Sequence, residues 1–71
     1  MLPVETVEEA IRTAEAFVGR YYGFKRPLEA RKEGDTWWVV FDVGVLTVER
    51  VELRIDADSG SIIDYKAPES T

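Results

Sequence analysis

The chain has 71 residues, 45% hydrophobic and 32% charged, enough material for one small globular domain and no more. It contains no cysteine and no histidine, which excludes a disulfide framework, thiolate and imidazole metal sites, and the commonest general base. Its formal charge of −5 argues against nucleic acid and anionic membranes as partners, because both select a basic stripe.

"TVEEAIRTAEAFVGRYYGF" carries helical periodicity. Val7, Ala10, Ile11, Ala14, Phe17, Val18 and Tyr21 fall on one face, and Glu8, Glu9, Arg12 and Glu15 lie off it. Thr6 and Glu9 have the spacing of a capping box, in which each side chain satisfies the other's free backbone N–H. Gly23 is placed to stop the helix and Pro27 to bar its resumption, so a helix is expected over 6–22.

The remainder reads as strands. "PLEARKE" (27–33) alternates Leu28 and Ala30 against Glu29, Arg31 and Glu33, and "GD" follows as a turn signal. "TWWVVFDV" (36–43) is rich in aromatic and β-branched residues. Gly44 punctuates it, and "VLTV" reads either as loop or as the start of the next strand. "ERVELRID" (49–56) alternates strictly, "ADSG" turns the chain, and "SIIDYKA" (61–67) returns as a last strand. The tail 68–71 reads as frayed. One helix followed by three or four consecutive strands implies a single α+β domain over 1–71, with the helix packed on one face of an antiparallel meander.

Strand alternation separates the two adjacent tryptophans. Trp37, Val39, Phe41 and Val43 are expected to face the helix, with Val51, Leu53 and Ile55. Trp38, Val40 and Asp42 then share the open face with Glu29, Arg31 and Glu33, and with Arg50, Glu52 and Arg54. In the last strand Ile62 and Ile63 are adjacent, so parity groups Tyr65 with Ile63 and Asp64 with Ile62, and leaves open which pair faces in. Two readings of Trp38 follow. Arginine stems and guanidinium groups can cover its ring. Alternatively Trp38 and Val40, with Arg31, Arg50 and Arg54, form an interaction face, since tryptophan and arginine are the residues of interface hot spots.

Few motifs suggest chemistry. Asp56, Asp58 and Gly60 resemble the start of a calcium loop, but Gly60 stands fifth, Ser61 sixth and Ala67 twelfth, where the calcium loop needs a ligand, a glycine and a glutamate. A hairpin turn in which Gly60 takes positive φ fits better. Ser59 and Ser61 have no histidine to activate them, and Tyr21 and Tyr22 read as core edge. No catalytic residue, metal or cofactor is expected. The absence of asparagine and glutamine beside abundant glutamate and arginine fits a thermophile. The N-terminus has no basic region followed by an apolar run, so no signal peptide or transmembrane segment is read and a cytoplasmic location is expected.

The helix "EEAIRTAEAF", the strand "GDTWWVVFDV" and the hairpin "VELRIDADSGSIIDY" together resemble the PepSY domain of peptidase propeptides, as a small stand-alone member. The matching positions are Ala10, Ile11, Ala14, Trp38, Val40, Asp56, Ser59, Gly60 and Ile62 or Ile63. More loosely, the chain resembles small immunity domains of cystatin or NTF2-like type. The PepSY resemblance implies a non-catalytic module that binds a protein or peptide, and binds or inhibits a peptidase. A structural homodimer joined through the Trp38 face, or an immunity-type protein without a small-molecule ligand, is the alternative. A monomer or a weak homodimer is expected.

Overall fold

The computed structural model describes residues 3–68. Its elements are α1 (Val7–Val18), β1 (Arg26–Glu33), β2 (Thr36–Asp42), β3 (Arg50–Asp56) and β4 (Ile62–Lys66). All neighbouring strands are antiparallel, in the order β1-β2-β3-β4, and α1 lies across β1, β2 and β3. The α+β meander expected from the sequence is the fold. The expectation for the tail falls mainly on residues 69–71, outside the described residues.

The helix starts where the capping box places it. Thr6 Oγ1 accepts from the Glu9 N–H at 3.1 Å, and Glu9 Oε1 accepts from the Thr6 N–H at 3.1 Å. Its buried stripe is small, Ala10, Ala14 and Val18, which lets the helix axis approach the sheet closely. Ile11 and Phe17 flank this stripe half-buried, while Val7 and Tyr21 are exposed. The helix is shorter than its periodicity predicts. It ends at Val18, and the chain tightens through bonds from Arg20 N–H to Phe17 O (3.2 Å) and Tyr21 N–H to Val18 O (3.0 Å). These i→i+3 bonds satisfy the Phe17 and Val18 carbonyls, and Gly19, not Gly23, stands at the cap. Among the described residues only Gly34 and Gly60 have positive φ, so Gly23 makes no left-handed stop.

Gly34 and Asp35 form a two-residue hairpin loop between β1 and β2, with Gly34 at φ 61° and no positive φ at Asp35. These are the φ signs of a type II′ turn, whose twist matches that of the strands it joins. Leu28 departs from expectation. A bulge lies between Pro27 and Glu29, and Leu28 is exposed while Ala30 still packs on the core.

The core lies between α1 and the sheet. Val39, Phe41, Val51 and Ile55 are completely buried, as are Ala10, Ala14 and Val18 above them, and Trp37, Val43 and Leu53 join them. Each large aliphatic or aromatic side chain placed there contributes about 1.5–3 kcal/mol of transfer free energy. Trp37 also ties down the chain ahead of the helix: its indole N–H donates to Val4 O at 2.9 Å, and the Val4 N–H donates to Ala57 O at 2.7 Å.

The ambiguity in β4 is resolved by a second bulge. Leu53 pairs with Tyr65 and Arg54 with Asp64, but Ile55 pairs with Ile62, so the register shifts by one residue. Ile62 and Tyr65 both pack on the core despite their opposite parity, and Ile63 is left outside. The turn ahead of β4 is built from its own polar groups. Ser59 Oγ donates to Asp56 Oδ2 at 2.7 Å, Gly60 N–H donates to Asp56 O at 2.8 Å, and Gly60 sits at φ 77°.

Candidate functional site

The strand register lays the open face out in rows. Glu29, Val40, Glu52 and Lys66 form one row, and Arg31, Trp38, Arg54 and Asp64 the next. Trp38 is therefore on the face opposite Trp37, as alternation requires. It is half-buried, with the Arg31 guanidinium carbon 4.3 Å from the ring centroid, and its indole N–H donates to Glu52 Oε1 at 3.0 Å. Arg31 is held over the ring by Glu29 (3.7 Å) and Glu33 (3.4 Å), and Arg54 also reaches Glu33 at 3.4 Å. Val40 is 2% exposed, so it offers a partner almost no surface. Arg50 is exposed and makes no ion pair among the described residues. The five residues read as one interaction face thus share a face, but Trp38, Arg31 and Arg54 are largely engaged with their own neighbours.

A different element presents apolar surface. The loop joining β2 to β3 carries Val45, Leu46 and Val48, exposed at 81%, 96% and 63%. Phe24, also exposed, precedes β1 at the same end of the sheet, where Arg26 pairs with Asp42. By sequence alone "VLTV" fits loop and strand equally, because its β-branched residues suit a strand. The usable signal is Gly44 ahead of a short apolar run, Val45 and Leu46 before Thr47 and Val48 after it, that ends at Glu49 without strand alternation.

The loop is braced from its base. Asp42, the one buried charged residue among the described residues, accepts from the Gly44 N–H at 2.9 Å and the Glu49 N–H at 3.0 Å through Oδ1. Its Oδ2 takes Arg26 at 3.1 Å. The Glu49 and Gly44 N–H groups, helped by Arg26, hold its pKa below the ordinary carboxylate value against the opposing push of burial. The Val43 N–H closes the base onto Glu49 O at 2.9 Å. Gly44 has to be glycine for want of room, because a Cβ there would collide with the Thr47 carbonyl. Beside the loop a shallow cleft of about 470 Å³ opens toward β4, lined by Val48, Arg50, Glu52 and Lys66.

A third feature is aromatic. Phe17, Tyr21 and Tyr65 have ring centroids 5.1–6.2 Å apart, and the Tyr65 hydroxyl donates to the Tyr22 hydroxyl at 3.3 Å. Burial, then the Tyr22 hydroxyl, pushes the Tyr65 pKa up to about 12. The rings pack on one another in edge and stacked contacts, which closes the helix end onto β4.

Among the described residues no three acidic side chains converge to hold a metal, and no helix is long and apolar enough to cross a membrane. No family model, no curated protein and no solved structure matches the chain significantly.

Proposed function

We propose that this chain is a non-catalytic module that binds a protein or peptide partner. The observation that carries the reading is the exposure of Val45, Leu46 and Val48 on a loop whose base is held by a buried carboxylate. Surface loops are ordinarily polar, and clustered aliphatic exposure marks an interaction site. The resemblance to PepSY domains makes a peptidase the first partner class to test, and the helix-plus-meander fold is compatible with it. Affinity capture from the source cells, followed by reconstitution with each purified partner, tests the reading. A partner that binds at micromolar or better, and whose peptidase activity falls on binding, is the expected result. The reading fails if no captured protein binds the purified chain, and the peptidase version fails if the partners that do bind have no peptidase activity.

A further inference from the structure

We propose that the β2–β3 loop is a preformed apolar knob that seats in an aliphatic-lined pocket of a partner protein, with Leu46 at its tip. The inference rests on the reading of the chain as a binding module and names the element and mode of contact.

Magnitudes separate the occupants this loop could have. Three aliphatic side chains bring about ten side-chain carbons, fewer than a single myristoyl chain, which anchors only marginally. The net charge of −5 adds repulsion from anionic lipid. A bilayer is therefore a poor fit. The same side chains amount to on the order of 300 Å² of apolar surface, against about 800 Å² per partner in a stable flat interface. A second copy meeting the loop face to face falls short by more than half. A concave pocket differs, because it surrounds the knob and removes nearly all of that surface from water.

The loop is also built for such a fit. Bends fall at Val45, Leu46 and Thr47, so the tip is a compact knob and not an extended strand. Asp42 and the Val43–Glu49 hydrogen bond fix its base, so little ordering remains to be done on binding. Glu49 and Arg50, both exposed, set a polar rim of mixed sign around an apolar centre. Strand addition is disfavoured as the alternative mode. Both edge strands are bulged, β1 at Leu28 beside Pro27 and β4 at Ile63, and β4 has only five residues.

The test is a photoactivatable leucine analogue in place of Leu46, incorporated in the source cells and irradiated there. The expected result is a crosslink to one protein, at a residue that lines an apolar pocket. That protein, purified, should bind Leu46→Asp at least about 30-fold more weakly than wild type, and Trp38→Ala within about threefold. Leu46→Asp should keep the wild-type unfolding midpoint, since the side chain is 96% exposed. A crosslink only to lipid, only to a second copy, or to nothing overturns the inference. So does a reconstituted partner that binds Leu46→Asp as well as wild type, although that outcome leaves the binding-module reading standing. If no purified protein binds wild type, the reading itself has failed.

Discussion

Trp37→Phe and Trp38→Phe are the same chemical change at adjacent positions, yet their costs should differ several-fold. Trp37 is 4% exposed and donates its indole N–H to Val4 O. Phenylalanine there leaves a ring-sized void and strips a buried carbonyl of that donor. A Trp→Ala change in a core costs about 3–5 kcal/mol; retaining one ring roughly halves this, and the lost hydrogen bond adds about 1 kcal/mol. The sum is about 2.5–3.5 kcal/mol. Trp38 is half-buried, and its partners are Arg31 over the ring and Glu52 at the indole nitrogen. Phenylalanine keeps a face for Arg31 and loses a partly solvated hydrogen bond, at a cost under about 1 kcal/mol. A domain of this size has a total stability of roughly 4–10 kcal/mol, so both variants stay folded. Urea unfolding followed by circular dichroism should show the contrast. With a slope of about 1 kcal/mol per molar, the midpoint should drop by about 3 M for Trp37→Phe and by less than 1 M for Trp38→Phe. Acrylamide should quench the tryptophan left in Trp37→Phe more strongly than the one left in Trp38→Phe. Equal midpoint shifts, or the reverse order, would show that the strand faces have been assigned the wrong way round.

Gly44→Ala forces the Thr47 carbonyl aside, so it should cost about 1–3 kcal/mol and shift amide resonances mainly over 42–50; unchanged spectra would contradict the close approach. Asp42 has a lowered pKa in the folded state, caused first by the Glu49 and then by the Gly44 N–H. Its stabilising contribution is present above the unfolded carboxylate value and is lost as pH falls through the folded one. Asp42→Asn should therefore flatten the acid limb of the stability profile below about pH 4, and an acid limb identical to wild type would argue against the brace. Tyr65 has the opposite sign: with its folded pKa pushed up to about 12, stability should decline as pH rises above the ordinary tyrosine value. Ultraviolet titration should show one late-ionising tyrosine that disappears in Tyr65→Phe, and three tyrosines titrating together in the wild type would refute the packing of Tyr65 against Tyr22.

Much of the fold was legible because it rests on local rules. The Thr6–Glu9 capping box and the strict alternation of Val51, Leu53 and Ile55 favour a particular local backbone, and the glycines at 34 and 60 permit the positive φ their turns need. The helix ends earlier than its periodicity predicts because Tyr21 and Tyr22 continue the apolar spacing after the backbone has left the helix, and both pack against Tyr65. The candidate site was less legible. Trp38 could be assigned to a face, but its exposure depends on Arg31 and Glu52 arriving from neighbouring strands.

Amino-acid order by itself determined which side chains share a face, because alternation along a strand is a property of the single chain. It settled that Trp37 and Trp38 part company across the sheet. Only the tertiary structure decided where alternation breaks. The bulges at Leu28 and Ile63 shift the pairing of β1 with β2, and of β4 with β3, by one residue, and such a shift exists only between paired strands. Nor could a local pattern show that Asp42, read as one more open-face carboxylate, would turn its oxygens onto the Gly44 and Glu49 N–H groups. A buried charge must find its partners in three dimensions, and in doing so Asp42 holds Val45, Leu46 and Val48 out in solvent.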